Sequence, residues 1–359
     1  MSKLSIRRMD LSLIKKKFRG CMLGALSGDC LGSPYEGDHP LSAGEKIILQ
    51  KSFDKLEGVY YKAPVMQYTD DSAMTKCLAE SLIEKKNLDL VDVVKKFVKS
   101  YYREPNRGYG QSVITVFQKL RANKFTDILK PASEQFNGQG SLGNGGAMRI
   151  APIALFSCHD YDEMIKMTRD ETSLTHTHSL GINGAILQAI AIQQSLELDP
   201  EDELDTSEYI DNLIDKMDEI EVEDEEFLNI DKSELMPYKH QLTCVKKFME
   251  NQNKPTSETV INKLGNDVTA VGSVATAIYC FLRAKYPIDD IHTDNPMRRA
   301  IQYAITLGGD TDTIASMAGA IAGAFYGDDK MSQELLRHCE ASAEFDKLAV
   351  DLFDITIKE

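Results

Sequence analysis

Leu307–Gly327 reads LGGDTDTIASMAGAIAGAFYG. Asp310, Asp312 and Thr313 stand where a helix should begin, and a long apolar run of small residues follows. Glycines recur at 319, 323 and 327, a step of four that places them on one helical face. A second segment, FRGCMLGALSGDCLGSPYE, carries Gly20, Gly24, Gly28 and Gly32 with the same step. Glycine inside a helix costs about 0.5–1 kcal/mol relative to alanine, so a repeated cost needs a return. The spacing predicts close backbone approach between packed helices at the centre of a soluble bundle. Membrane dimerisation uses the same spacing, but Asp29 and the polar heads of both segments argue against it.

Outward from these segments the pattern is helical. AMTKCLAESLIEKK (73–86), VDVVKKFVKSYYREP (91–105), NGAILQAIAIQQSLEL (183–198) and SVATAIYCFLRAKY (273–286) space apolar residues for one helix face. No series of alternating β-branched runs joined by tight turns appears. The expected class is all-α, a compact multi-helix bundle. Residues 197–226 are densely acidic around a helical stripe of Tyr209, Ile210, Leu213, Ile214 and Met217, and read as a solvated surface helix with loose flanks. This segment is a poor linker, with one proline and no Gly/Ser run. We expect one domain over 18–359, preceded by a basic leader over 1–17.

The 359 residues are 42% hydrophobic, enough to bury a sizeable core. A net charge of -15 argues against a general nucleic-acid or membrane-surface binder. Seven cysteines without a C-x-x-C pair fit reduced thiols in an intracellular compartment. No charge-free run of about 18 apolar residues suggests a membrane span. The basic first 20 residues read as a lead into the first helix, with an organelle-targeting segment as the alternative.

Far upstream of GGDTDT lies a second acid cluster, YTDDSAM, with Thr69, Asp70 and Asp71 ahead of a helix. N-capping is the structural reading, since Asp and Thr are favoured caps and acids suit a helix N-terminus. One cap needs only one residue, however, and each cluster offers two carboxylates and a hydroxyl. If the clusters meet, four negative charges converge, and hard divalent cations such as Mg²⁺ would match them. Zinc fits less well, because no His or Cys accompanies the acids.

FNGQGSLGNGGAMRIAPIALF (136–156) is a glycine-rich loop leading into an apolar helix. Such a loop can turn backbone N–H groups towards phosphate oxygens, and a flexible surface turn is the alternative. It matches G-x-G-x-x-G literally, yet the preceding KPASEQFN is no strand, so a dinucleotide fold is not expected. LTHTHSLGINGA (174–185) adds His176 and His178, read as pocket or loop histidines rather than ligands. Glu36 lies in a turn-rich stretch after the first glycine helix.

Taken together, GCMLGALSGDCLGSPYE, YTDDSAM, GSLGNGGAMR, LTHTHSLGINGAILQA and TLGGDTDTIASMAGAIAGAFYG resemble the ADP-ribosylhydrolases, the DraG-like ADP-ribosylglycohydrolases. The resemblance runs from about residue 18 to the C-terminal region. It implies an all-α orthogonal bundle with two Mg²⁺ in the substrate cleft. It also implies cleavage of ADP-ribose from protein serine, and of poly(ADP-ribose) and O-acetyl-ADP-ribose. By motif, Thr69, Asp70, Asp71, Asp310, Asp312 and Thr313 would hold the metals, joined in one state by Glu36 on a mobile loop. Glu36, Asp70 and Asp71 would be the catalytic acids, with acid and base roles unassigned. Gly140, Ser141, Leu142, Gly143, Asn144, Gly145 and Gly146 would line the diphosphate. His176 would contact the ligand, Phe136 would flank adenine, and Leu235 and Val268 would lie at the adenosine end. Where the resembled branch carries an aromatic after the Gly-Ser of the loop, this chain has Leu142, so adenine would be stacked on one side only.

The resemblance further implies a monomer acting on ADP-ribosylated proteins, without direct DNA or membrane binding, in the nucleus, cytoplasm or mitochondrial matrix. Three rivals stand beside it: a hydrolase for arginine-linked ADP-ribose, a non-catalytic ADP-ribose-binding or structural protein on the same fold, and a helical nucleic-acid binder, which fits the acidic composition poorly.

Overall fold

The computed structural model describes residues 9–37, 39–58, 62, 65–222 and 236–357. Among these residues the chain forms seventeen α-helices and almost no strand. In chain order they begin with α1 (Leu11–Gly32), α2 (Ala43–Leu56), α3 (Asp70–Lys85), α4 (Leu90–Arg103), α5 (Gln111–Ala122) and α6 (Lys130–Ser133). Next come α7 (Ala151–Phe156), α8 (Tyr161–Thr172), α9 (Ser179–Glu197), α10 (Thr206–Val222) and α11 (Pro237–Glu250). The remainder are α12 (Ser257–Leu264), α13 (Val274–Arg283), α14 (Pro296–Thr306), α15 (Thr311–Tyr326), α16 (Gln333–Leu336) and α17 (Ser342–Ile357).

At the centre α1 and α15 run antiparallel with their backbones touching. A Cβ at Gly24 would sit 2.1 Å from the carbonyl oxygen of Gly319, and one at Gly28 would sit 2.1 Å from that of Ala315. At the two ends, Gly20 faces Gly323 and Gly32 faces Asp312. The glycine step is therefore the return for the propensity cost: it lets two helices approach closer than any side chain permits. α15 is almost wholly buried, as is α1 from Gly20 onward, and α9, α13, α14 and α17 pack around them. This axis aims the C-terminal end of α1 and the N-terminal end of α15 at the same place.

The last residues of the basic leader belong to α1, which starts at Leu11. Lys17 is fully buried there, and its ammonium donates to the carbonyls of Ser195 (2.9 Å), Leu196 (3.2 Å) and Leu198, closing the end of α9. Burial pulls this ammonium down to about 7. The acidic segment is a surface helix with one committed face. Tyr209, Ile210, Leu213 and Met217 of α10 are buried, while Glu208, Asp215 and Glu219 are exposed. Among the described residues, no helix is long and apolar enough to cross a membrane.

Candidate active site

The head of α3 is held from α1. Buried Asp29 accepts hydrogen bonds from the backbone N–H groups of Thr69 (3.0 Å) and Ser72 (3.0 Å), and Thr69 Oγ1 accepts from Asp71 N at 3.4 Å. Asp29 and Thr69 thus cap the helix, which leaves the carboxylates of Asp70 and Asp71 for other work. At α15, Asp310 occupies the N-cap position but its side chain accepts no capping hydrogen bond. Capping alone does not account for these acids.

The two heads meet. Thr313 Oγ1 lies 3.3 Å from Asp71 Oδ2, and Thr69 Oγ1 lies 3.2 Å from the same oxygen. Carboxylate oxygens of Glu36, Asp310 and Asp312 all fall within 4.8 Å of one another. Glu36 reaches the cluster from an exposed turn that is tied down by a hydrogen bond from Gly37 N to Gly309 O, 2.8 Å. Asp71 Oδ1 is buried without a hydrogen-bond partner among the described residues.

The charge balance of this cluster is one-sided. Burial, then the neighbouring Asp29, pushes Asp70 up to about 8. Burial, then Asp310 and Glu36, pushes Asp312 up to about 9. Asp71 rises well above the carboxylate range through burial and Asp312, and Asp310 and Glu36 rise too, chiefly through burial. Five converging acids with an orphaned buried oxygen are the donor set of a hard cation. Asp310, Asp312, Asp70, Asp71 and Glu36 offer oxygen only, with the hydroxyls of Thr69 and Thr313 beside them, so the residues fit Mg²⁺ and not a thiolate or imidazole metal.

These acids form one end of a cavity of about 530 Å³. The glycine loop forms the other side. Phe136 (φ 50), Asn137 (φ 59) and Gly138 (φ 89) turn the chain through left-handed conformations, and Gly140 (φ 75) follows. The loop then pairs with the segment before α13: Asn144 N donates to Val268 O, and Ala270 N donates to Leu142 O, both at 3.0 Å. This pairing brings Val268 beside Leu142. With Phe136 they make an apolar rim, 63%, 39% and 56% exposed respectively. A ligand with an anionic middle and an apolar end would find acids or metal at one end, backbone N–H groups midway and this rim at the other.

His176 supports the loop from below. A Cβ at Gly145 would lie 2.6 Å from its ring, and Thr175 Oγ1 lies 2.7 Å from its Nδ1. Burial, reinforced by Arg149, pulls the imidazole down to about 3, so it is neutral at physiological pH. Asn144, expected among the diphosphate contacts, donates its side-chain amide to Asp310 Oδ2 (2.5 Å) and Ser273 Oγ (3.1 Å). It therefore ties the loop to the acid cluster.

Of the residues named from sequence, Glu36, Asp70, Asp71, Phe136, Gly140–Gly145, His176, His178, Val268, Asp310, Asp312 and Thr313 line this cavity. Gly146 turns away and packs on Thr172, and Thr69 stands behind Asp71 rather than on the wall. Leu235 lies outside the described residues. Two supports went unassigned in sequence. Asp29 was readable as the lone acid of an apolar glycine helix, a position that demands partners. Arg149 ends the GGAMR run; its guanidinium is fully buried, donating to Gly145 O (2.7 Å), Thr175 Oγ1 (2.8 Å) and Glu171 (2.7 Å). Its partner Glu171 is 22 residues away, which no local pattern signals.

Comparison with known proteins matches residues 10–359 to the ADP-ribosylglycohydrolase family. The chain is 41% identical over 348 residues to ADP-ribosylhydrolase ARH3 of Gallus gallus, covering 94% of this chain and 93% of the relative. It is 41% identical over 341 residues to the ARH3 of Homo sapiens, covering 94% and 92%. A solved structure described as an ADP-ribosylglycohydrolase-related protein complex superposes with a TM-score of 0.62 at 19% identity, over 96% of this chain and 100% of that one. That likeness speaks for the fold.

Proposed function

Because the chain belongs to the ADP-ribosylglycohydrolase family, we propose that it hydrolyses the bond joining ADP-ribose to protein serine, and also acts on poly(ADP-ribose) and O-acetyl-ADP-ribose, with two Mg²⁺ ions. The observation that carries this reading is the convergence of Glu36, Asp70, Asp71, Asp310 and Asp312 on one cavity wall, opposite a glycine loop with an apolar rim. The names of the vertebrate relatives support an ADP-ribosylhydrolase; the serine linkage and the metal identity are our reading.

Glycosidic cleavage passes through an oxocarbenium-like sugar. When bound, Mg²⁺ would supply Lewis-acid positive charge to the reacting sugar. Asp70, Asp71, Asp310 and Asp312 would hold it, together with the hydroxyls of Thr69 and Thr313, which both lie against Asp71 Oδ2. Glu36, the exposed carboxylate of the cluster, accepts a proton from the water that attacks the anomeric carbon while the bond to the acceptor oxygen breaks, and that proton passes on to the departing oxygen. The N–H groups of Gly140, Gly143 and Asn144 are engaged within the protein, so the loop orients the diphosphate through those of Ser141, Leu142 and Gly145. Leu142, Phe136 and Val268 receive the adenine, and neutral His176 keeps the loop shaped without adding charge. Nucleus, cytoplasm and mitochondrial matrix are the compartments we propose for a monomeric enzyme.

Serine- and arginine-ADP-ribosylated peptides, digested side by side with and without Mg²⁺ and read by mass spectrometry, test this. Release from serine that stops on chelation is expected. Release from arginine alone, or ADP-ribose binding without any release, overturns it.

A further inference from the structure

On the far side of α4 from the core lies a shallow groove of about 420 Å³, framed by Lys95, Lys99, Tyr102, Arg103, Arg121 and Phe125. The four α4 residues are spaced for one helical stripe. Arg121 lies in the last turn of α5, and its guanidinium lies 4.2 Å from the centre of the Tyr102 ring. Phe125 follows at φ 60, pinned by hydrogen bonds from its N–H to Leu120 O (3.0 Å) and Asn123 Oδ1 (2.9 Å), and Lys95 Nζ stands 5.9 Å from its ring centre. Arg103 pairs with Glu104, whereas Lys95, Lys99 and Arg121 form no ion pair among the described residues. On a chain of net charge -15, such a concentration of unpaired cations around aromatic rings is a local exception. The same two helices are joined by the loop whose Gly108 and Gly110 line the main cavity.

We propose that this groove is a second binding site, which holds a remote unit of a poly(ADP-ribose) chain whose terminal unit occupies the cavity. Each such unit carries a diphosphate and an adenine. The cations suit the first, and Tyr102 with its Arg121 partner suits the stacking of the second. The proposal rests on the reading of the cavity as an ADP-ribose site. It concerns grip on polymer, not bond cleavage.

Its test separates the two sites. Binding of fluorescein-labelled poly(ADP-ribose) is measured by anisotropy in EDTA, which stops turnover, and the affinity for monomeric ADP-ribose is measured alongside by calorimetry as the report on the cavity. Wild-type protein is expected to keep a polymer affinity that Lys99→Glu/Arg121→Glu weakens roughly tenfold or more, with a shallower salt dependence. Tyr102→Ala is expected to weaken it roughly fivefold or more. Both variants should retain wild-type circular dichroism and full activity on a singly modified serine peptide. Equal affinity of wild type and both variants overturns the proposal. So does single-stranded RNA of matched length that binds as tightly and is weakened equally, which would make the groove a nucleic-acid site. Failure of the cavity reading looks different: wild type then releases nothing from the serine peptide, while the anisotropy still reports on the groove.

Discussion

Thr313 of α15 and Asp71 of α3 stand 3.3 Å apart, hydroxyl to carboxylate, across 242 residues of sequence. The contact joins two helix heads that each carry acids beyond their capping needs. Asp312 sits beside it, buried and facing Asp310 and Glu36. Asp312→Asn keeps the shape but removes a carboxylate that the proposed cation would need. Turnover should fall by more than ~100-fold, since even outer positions around a metal cost 10–100-fold. The melting temperature without metal at neutral pH should rise, because the amide needs no proton taken up on burial, whereas the Asp312 carboxyl does. Full activity with unchanged Mg²⁺ affinity in calorimetry would refute the metal role of this acid.

The same crowding sets a pH dependence. Asp70 and Asp312 titrate near about 8 and about 9 in the folded chain, against roughly 3.9 for an unfolded Asp. Between those values the folded state binds more protons than the unfolded state. Stability of the metal-free protein therefore falls as pH rises from about 4 towards 9. Mg²⁺ must displace those protons, so its affinity should rise over the same window. Calorimetry at pH 7 in two buffers of different ionisation enthalpy should show proton release on Mg²⁺ binding, and urea unfolding across pH should show the falling slope. A stability that climbs with pH in EDTA contradicts this account.

Much of this architecture is legible along the chain because its signals are periodic. α3, α4, α9 and α13 appear within a few residues of their apolar spacing, and the glycine steps of α1 and α15 already imply backbone contact. The acid clusters declare themselves by excess, two carboxylates where one cap suffices. What stays hidden is pairwise and remote. Asp29 capping the helix that starts at Asp70, Asn144 reaching Asp310, and Arg149 buried against Glu171 each depend on a neighbour that no local window contains. Gly146 shows the converse: it belongs to the loop by sequence, yet its conformation serves packing on Thr172.

The helix axis gives a paired stability test. A methyl at Gly28 would meet the backbone carbonyl of Ala315 at 2.1 Å, which neither helix can relieve without moving. Gly28→Ala should cost about 3 kcal/mol or more, at the top of the overpacking range. Gly44, in α2, faces open space, so Gly44→Ala should stabilise by about 0.5 kcal/mol. Urea titration of both variants checks the pair, and equal effects of the same sign would show that the glycine step does not govern the α1–α15 approach.

The buried Arg149–Glu171 pair braces the loop at Gly145. Arg149→Met leaves Glu171 buried without its partner, and should cost about 3–5 kcal/mol. Replacing both, as Arg149→Met with Glu171→Leu, should recover most of that loss while ADP-ribose affinity stays low, because Gly145 O and Thr175 still lack their donor. Thermal unfolding and ligand titration together separate the two roles. Affinity that recovers along with stability would mean that the guanidinium does not shape the loop.

The rim offers a gain-of-function test. Leu142 is 39% exposed and Val268 63% exposed, next to one another across the loop pairing, with Phe136 as the one aromatic of the three. A flat ring at 142 would give adenine a second stacking surface. Stacking of a base on an aromatic side chain is worth about 1–3 kcal/mol, and part of that is already supplied by leucine contact. Leu142→Phe should therefore tighten ADP-ribose binding by roughly fivefold, and Phe136→Ala should weaken it by a similar factor. Neither change touches the acid cluster, so the pH dependence of Mg²⁺ binding should stay as in the parent protein. Titration calorimetry with ADP-ribose and with ribose 5-phosphate, which lacks the base, isolates the adenine contribution. If Leu142→Phe tightens both ligands alike, or neither, then adenine does not rest on this rim.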